Sequence, residues 1–442
     1  MPMTSNAATQ RSKLATFSWA LWDWAEQPYP TLMQTFIFPV YLTGAVASGI
    51  KNADQQLGWA TAIAGFLLAL IAPVLGRRSD ENGRRKFWLL INTGILVAVT
   101  AASFFVEPKP EFFLFGLVLY GIGSVIQESA FINYYAMLKG VTTENNIGRI
   151  SGYAWGLGYV GGIILLLISL VGFVLPDGHY WFGLTKDNAI NIRTIFLFAA
   201  AWILVFTIPM LIWVPEIAKK ATAKKESVLD SYAGLFNQLK TLRQQAPETF
   251  KFLISSAVYR DGLAGVFTFG AVLGTLAFGF NTQSIIFYGI GANIIAAIGA
   301  AIGGRLDDIV GSRTVILGSL IGLIASGTAL FFFRDMGPIA YWIFGLLLTL
   351  FVGPAQASSR TFVARFTPHG REGEVFGLYQ TTGRAISFLS GSMWAITIGA
   401  ANYFFGGSNN TIYGIWGIML ILIAGTILLF QVHPKPQVLE AK

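Results

Sequence analysis

Long apolar stretches recur along the whole chain, and this recurrence limits the fold more than any other feature of the sequence. A hydrocarbon core about 30 Å thick is crossed by ~20 helical residues, so each stretch is long enough for one transmembrane helix. Only 12% of the residues are charged, roughly half of the ~25% that is usual in a soluble domain. The pattern predicts an all-α membrane protein of twelve transmembrane helices, which begin near Thr16, Leu57, Phe87, Phe112, Ile147, Ile192, Thr249, Gln283, Thr314, Pro338, Gly373 and Thr411.

Lysine and arginine residues are divided unequally between the predicted loops. The loops on the side of the two termini hold 22 of them, whereas the opposite side holds only Lys51, Lys109, Lys186, Arg193 and Arg334. The positive-inside rule therefore predicts that both termini and the central loop are cytoplasmic. The basic residues form no continuous stripe, so the net charge of +8 does not predict a nucleic-acid partner. The N-terminus lacks a small-residue cleavage site, and we expect a cytoplasmic tail rather than a signal peptide.

The sequence lacks the residues that several kinds of chemistry require. It contains no cysteine, which excludes a disulfide framework, thiol catalysis and thiolate-bound zinc. Its three histidines, His179, His369 and His433, lie outside the middle of the predicted spans. No metal-ligand spacing, nucleophile motif or GxxxxGK[ST] sequence is present. We therefore expect no enzymatic activity, no metal, no cofactor and no ATP bound by this chain.

The two halves of the chain resemble each other. Four residues of one loop recur 228 positions later: Gly76, Asp80, Gly83 and Arg85 correspond to Gly304, Asp308, Gly311 and Arg313. The 36 residues 127–162 also align without gaps on 356–391. Repeats related by an axis along the membrane normal are typical of transporters that bind substrate between their halves. We predict six-helix bundles over 1–215 and 249–442, related by pseudo-two-fold symmetry.

A polar linker, 216–248, joins the predicted bundles. Apolar residues recur at helical spacing from Val228 to Leu242, which predicts an amphipathic helix. Such a helix either lies on the inner membrane surface or packs against the bundles as an ordinary connection. The sequence favours neither alternative.

The repeated loops carry a family resemblance. GRRSDENGRR at 76–85 and GRLDDIVGSR at 304–313 resemble the loop signature of the major facilitator superfamily, although Arg78 stands where an apolar residue is usual. The segments WDWAEQPYPTLMQTFIFPVYL, GRISGYAWGLGYVGG and GPAQASSRTFVARFTP are similar to the vacuolar amino-acid effluxer (autophagy-related) branch and its bacterial relatives. The resemblance covers nearly the whole chain. It implies the major facilitator fold, an amino-acid-like substrate and a place in a bacterial inner membrane.

Charged side chains inside the predicted spans are costly in lipid and are usually functional. At ~1.5 Å per residue, Asp261 and Arg384 both lie near the membrane midplane. They are expected either to pair with each other or to hold the two ends of a zwitterion. The predicted substrate-binding residues are Gln34, Gln127, Asn133, Asp261, Gln356 and Arg384. Ion pairing between helices, or interhelical hydrogen bonding by the amides, is the alternative.

Three further intramembrane charges lie nearer the cytoplasm by the same estimate. We predict that Asp23, Glu128 and Arg360 serve proton coupling or gating rather than the centre of the substrate site. The alternative is that these side chains extend to the interface without a role in transport. The cavity is expected between helices one, four, seven and ten, with helix eleven near its rim.

The repeated loop also predicts a conformational latch. An aspartate that faces a helix N-terminus is held by the positive end of the helix dipole. We expect Asp80 to meet the start of helix eleven and Asp308 to meet the start of helix five, closing the cytoplasmic side. Arg84, Arg85 and Arg313 are expected either to add ion pairs to this latch or to serve topology alone.

These features predict a secondary active transporter that moves a small polar solute by alternating access. An amino acid or similar zwitterion is the expected substrate, with the proton as coupling ion and a monomer in the lipid bilayer as the working unit. The alternative within the same superfamily is an exporter of drugs or other amphipathic compounds. A membrane-embedded enzyme lacks a motif, and the two-half repeat favours a carrier over a channel.

Overall fold

A computed structural model of the chain describes residues 13–50, 53–175, 180–216, 240–280, 282–367, 371–406 and 410–433. Within these ranges, eight helices are long and apolar enough to cross a membrane. Four more helices, interrupted or less apolar, complete the predicted twelve. The helices are α1 (Lys13–Glu26), α2 (Ala53–Asn82), α3 (Arg85–Ala102), α4 (Phe113–Ala136), α5 (Ile147–Ser169), α6 (Ile190–Trp213), α7 (Pro247–Leu276), α8 (Thr282–Val310), α9 (Ser312–Phe332), α10 (Leu346–Phe366), α11 (two segments, Glu372–Ala385 and Leu389–Phe405) and α12 (Gly414–Phe430).

The path of the first span becomes irregular where its prolines begin. After α1 ends at Glu26, the chain continues through wider π-helical turns, Tyr29–Phe36 and Leu42–Val46, around the short helix Phe38–Tyr41. A proline has no amide hydrogen, so Pro28 cannot donate to the carbonyl of Trp24 four residues earlier. The indole N–H of Trp202 on α6 donates to that carbonyl instead, at 3.1 Å. The regular helix therefore ends in the middle of the protein.

Helices α1–α6 and α7–α12 form the two bundles, and two helix pairs hold the bundles together. Helix α8 packs along α5, and α11 packs along α2. Large apolar side chains such as Leu114, Leu204 and Ile302 remain exposed on the outside, as expected where lipid is the solvent. The linker residues 217–239 lie outside the described residues, which includes most of the predicted amphipathic helix; residues 240–245 are helical.

The crossing of α5 and α8 is so close that main-chain atoms of the two bundles touch. A Cβ atom on Gly152 would lie 2.3 Å from the carbonyl oxygen of Ala300, and one on Gly304 would lie 2.6 Å from that of Gly148. Any side chain would therefore hold the two helices apart. Small residues at helix crossings permit this kind of approach. We call this contact the glycine seam.

The loops that follow α2, α4, α8 and α10 lie at one end of the molecule. Their described residues are Gly83–Arg84, residues 142–146, Gly311, Thr367 and Arg371. We call this end the basic face, because these loops and the adjoining helix ends carry arginine and lysine residues, and we call the opposite end the far face.

Candidate functional site

A cavity of about 260 Å³ lies between the bundles. Helices α4, α5, α7, α10 and α11 line it with Glu128, Phe131, Tyr135, Trp155, Arg260, Asp261, Ala264, Gln356, Arg360, Tyr379, Gln380, Gly383, Arg384 and Ser387. Two expectations from the sequence were wrong. Helix α11, expected near the rim, contributes more of these residues than any other helix, and α1 supplies none of them because it lies behind the cavity wall.

An ion pair from opposite bundles crosses this cavity. Arg384 of α11 donates to the carboxylate of Glu128 on α4. Gln380, one turn earlier on α11, donates to the other oxygen of the same carboxylate at 2.8 Å. The pair is partly exposed to the cavity, with 34% of the Arg384 side chain and 18% of the Glu128 side chain accessible. A solute that enters the cavity can therefore reach both charges.

The cavity ends toward the basic face at a buried arginine. Arg360 of α10 donates to Asp23 of α1 at 3.0 Å and to the hydroxyl and carbonyl of Ser151 on α5 at 2.9 and 2.6 Å. Only 1% of the Arg360 side chain is accessible. Four aromatic rings surround the guanidinium at 5.1 to 5.7 Å from its carbon atom, those of Trp19, Tyr134, Tyr135 and Trp155.

This arrangement ties one bundle to the other below the cavity. The Arg360 guanidinium is desolvated, and its charge is balanced by Asp23 and by the π-faces of the rings. Glu128 and Arg360 both line the cavity, and their predicted role in proton coupling or gating stays a prediction.

Asp261 and Arg384 line the same cavity but do not pair with each other. The Asp261 carboxylate accepts hydrogen bonds from the backbone N–H of Ser390 at 2.6 Å and from its hydroxyl at 3.1 Å. Ser390 lies at the start of the second segment of α11. Asp261 thus caps the N-terminus of a helix that is broken at residues 386–388, as acidic groups do at helix starts.

Arg260, the residue before Asp261, was not among the site residues predicted from the sequence. Arg260 donates to the carbonyl of Tyr379 at 3.0 Å and to the side chain of Gln380 at 2.8 Å. Its guanidinium lies 3.8 Å from the centre of the Tyr379 ring. Through Gln380, this second arginine orders the donor group that also holds Glu128. The rule that intramembrane charges are functional would have found it.

The predicted amide residues fall into two groups. Gln34 donates to Ser124 at 3.2 Å, Gln127 donates to Glu26 at 2.7 Å, and Asn133 donates to the carbonyl of Ser129. These three bonds join atoms of the N-terminal bundle, and none of the three residues lines the cavity. Gln356 does line it, and its side-chain oxygen accepts no hydrogen bond from the described residues. Glu26, a buried carboxylate, was also missed in the sequence.

On the basic face, Asp308 lies against the start of α5. Its two carboxylate oxygens accept hydrogen bonds from the backbone N–H groups of Gly148 and Arg149, at 2.7 and 2.8 Å. Arg365 of α10 pairs with Asp308 at 3.1 Å and also with Asp307. The contact joins the C-terminal bundle to the N-terminal one at the positive end of the α5 dipole.

A second contact between the bundles lies near the start of α11. Arg85 forms an ion pair with Glu372 at 2.8 Å, and 3% and 6% of the two side chains are accessible. Nearby, Lys139 donates to the carbonyl of Thr367, and burial lowers the pKa of its ammonium group. These contacts close the basic face in the conformation described.

The other predicted latch residues behave differently. Arg84 is exposed and lies 6.0 Å from the ring of Phe87. Arg313 donates to the carbonyl of Phe430 at 3.0 Å, within its own bundle. The Asp80 side chain lies outside the described residues, so its predicted contact with α11 stays a prediction.

Comparison with known proteins gives a family and a set of relatives. Residues 56–441 match the protein family described as "Vacuole effluxer Atg22 like". The chain is 29% identical over 420 residues to the MFS-type transporter YxiO of Bacillus subtilis, covering 93% of each chain. It is 24% identical to the multi-drug resistance efflux pump PmrA homolog of Lactococcus lactis, covering 79% of this chain and 80% of that one. Autophagy-related protein 22-1 of Neosartorya fischeri is 22% identical over 54% of this chain and 42% of its own. The chain therefore matches less than half of that fungal protein.

Solved structures show the same architecture. The proton:xylose symporter XylE bound to 6-bromo-6-deoxy-D-glucose superposes with a TM-score of 0.67 at 14% identity, covering 95% of this chain and 94% of that one. A bacterial homologue of the iron transporter ferroportin, in its outward-facing state, gives 0.65 at 10% identity, covering 95% and 98%. These likenesses confirm the predicted major facilitator fold.

Proposed function

Because the chain belongs to the Atg22-like vacuole effluxer family of major facilitator transporters, we propose that it moves an amino acid or a similar zwitterion across a membrane by alternating access. The observation that carries this proposal is the Glu128–Arg384 pair. The two opposite charges come from different bundles and are both accessible in one cavity. They match the ammonium and carboxylate groups of a zwitterion.

Solute binding in this proposal exchanges one ion pair for two. The carboxylate of the solute pairs with the Arg384 guanidinium, and the ammonium group of the solute pairs with the Glu128 carboxylate. Gln356 lines the same cavity, and Arg260 keeps Gln380 in place. Both charges stay paired throughout, so the large cost of an unpaired charge in a low-dielectric site is avoided.

The contacts on the basic face supply the gate in this proposal. The ion pairs Asp23–Arg360 and Arg85–Glu372 and the cap of Asp308 on α5 all join the bundles on that side. They must separate before the cavity can open there. The second state then exposes the solute to the compartment that the basic face borders.

Orientation, coupling and assembly complete the proposal. The basic face borders the cytoplasm of a bacterial cell, because its loops hold most of the lysine and arginine residues. A single chain contains the whole cavity, which favours a working monomer. Intramembrane carboxylates such as Asp23 and Glu128 favour the proton as coupling ion.

A second candidate function is export of amphipathic compounds. A smaller apolar cavity of about 140 Å³ lies near α7, α8 and α12, where the rings of Phe269 and Trp394 stack at 4.5 Å. Such a cavity suits a hydrophobic group better than a charged one. The similarity to a multi-drug efflux pump homolog supports the same reading.

Transport into proteoliposomes separates the two candidates. We expect labelled amino acids, tested as a panel with and without a pH gradient, to exchange across the membrane, and an amphipathic cationic dye to remain outside. Transport of the dye alone would replace the proposed substrate with the second candidate.

The variant Arg384→Gln tests the binding role directly. Loss of a charged hydrogen-bond partner costs about 1.5–3 kcal/mol, so the apparent affinity for the amino acid should fall about tenfold to a hundredfold. The matched control is Arg334→Gln, which removes a partly exposed arginine from the loop after α9. A folded Arg384→Gln protein that transports like the control would remove Arg384 from the substrate site.

A further inference from the structure

Glu26 is a buried carboxylate with no cation beside it. Only 3% of the residue is exposed. One side-chain oxygen accepts a hydrogen bond from Gln127 at 2.7 Å, and the other lies 3.4 Å from the amide nitrogen of Gln27. Within the described part of the chain Glu26 makes no ion pair, whereas Asp23 and Glu128 each bind an arginine.

The surroundings of Glu26 disfavour a negative charge. An ionised carboxylate that is buried without a cation is costly, and two amide donors do not balance its charge. Glu26 is also the last residue of α1, where the helix dipole is negative and repels an anion. The neutral acid is therefore the form that this site accommodates.

The charged neighbours strengthen this argument. The titratable groups around Glu26 and Asp23 are Glu128 and Tyr134 on α4, Tyr159 on α5 and Arg360 on α10. Helix α6 contributes the ring of Trp202 at this level. Of the charges, Asp23 and Glu128 are negative like an ionised Glu26, and the guanidinium of Arg360 is already held by Asp23.

We propose that Glu26 is the proton-binding site of the transport cycle. The inference rests on the proposed transport function and adds the residue that carries the ion. A proton from water on one side joins a Glu26 oxygen, crosses as the neutral acid, and returns to water on the other side. No other bond changes.

A short path links this proton to the solute. Gln127, which donates to Glu26, is adjacent in α4 to Glu128, which pairs with Arg384 in the cavity. A negative charge on Glu26 repels Glu128, so protonation of Glu26 favours the ionised Glu128 that a solute ammonium group requires. Proton binding and solute binding are thereby coupled.

Infrared spectroscopy of the purified full-length protein, with no solute present, tests whether Glu26 is protonated. We expect the C=O stretching band of a protonated, buried carboxyl group in the wild type. It should be lost in Glu26→Gln and kept in Glu111→Gln, the control at an exposed acid on the far face. Should Glu26→Gln fold poorly, Glu26→Asp, which preserves the acid, should keep the band at a shifted frequency. No such band in the wild type, or an unchanged band in Glu26→Gln, would overturn the proposal.

Proteoliposomes test the coupling. Glu26→Gln should lose accumulation driven by a pH gradient but keep the exchange of labelled for unlabelled amino acid, which needs no net proton movement. Accumulation that persists in the variant would contradict the proposal. If the wild type transports no amino acid, the proposed function fails while the infrared result for Glu26 still stands.

Discussion

The loop after α2 and the loop after α8 carry the same sequence pattern, and their described residues contact the opposite bundle through different side chains. After α8, the carboxylate of Asp308 accepts two backbone N–H groups at the start of α5. After α2, the guanidinium of Arg85 is buried against Glu372 at the start of α11. The equivalent of Arg85 in the other half, Arg313, turns back to a carbonyl of its own bundle. Of the two equivalent arginines, Arg85 thus joins the bundles, whereas Arg313 binds within one bundle.

The Asp308 cap and the Arg85–Glu372 ion pair are expected to differ in energy. A carboxylate at a helix N-terminus gains about 0.3–1 kcal/mol, or ~2 when partly buried. Removing one member of a buried ion pair costs about 3–5 kcal/mol, because the other charge is stranded. The Arg85 side of the basic face should therefore resist opening more strongly than the Asp308 side. Three substitutions test that order.

The largest effect is expected from Arg85→Gln. Loss of the buried ion pair with Glu372 should destabilise the closed basic face by about 3–5 kcal/mol. The chain has no cysteine of its own. A cysteine introduced at Ala357, a buried position where α10 contacts α5, therefore reports opening of the basic face by its alkylation rate. Alkylation should accelerate, and Glu372→Gln added to Arg85→Gln should reverse most of the change. Equal rates in the single and double variants would show that the pair does not hold the face closed.

An intermediate effect is expected from Asp308→Asn. The amide keeps one acceptor but loses the charge, so the closed state should lose about 0.3–2 kcal/mol. Alkylation at position 357 should rise severalfold, less than in Arg85→Gln. The matched control is Asp335→Asn, at an exposed acid on the far face. A larger rise in Asp308→Asn than in Arg85→Gln would invert the order of the two contacts.

The smallest effect is expected from Arg313→Gln. Its hydrogen bond joins two parts of the C-terminal bundle, so opening of the basic face leaves that bond intact. We expect a change within about 0.5 kcal/mol and no measurable change in alkylation. If Arg313→Gln opened the basic face as Arg85→Gln does, the two loops would be functionally symmetric and the comparison would fail.

The sequence was sufficient for the features that depend on composition and local pattern. Apolar stretches predicted the helices, and the repeated loop pointed to the start of α5, where Asp308 is found. Partners across the bundle interface were harder to predict. Depth along a helix placed Asp261 and Arg384 at one level, yet their partners depend on the rotation of each helix about its axis.

The breaks in the helices also made the partners of individual side chains difficult to predict. Asp261 binds Ser390 because α11 is interrupted just before it, and no single proline or glycine announces that interruption. Glu26 could have been found by the rule that intramembrane charges are functional.

The glycine seam bears on how fast the molecule changes state rather than on which state it prefers. Where Gly152 and Gly304 meet, the surfaces that must part consist of main-chain atoms. No side chain there has to leave one rotamer for another, and no interlocked groups must disengage before the helices slide. We therefore expect a low activation barrier at this crossing, with the contacts on the basic face setting the populations of the two states. In this view, the rate of the conformational change and the preference for one state depend on different groups of atoms.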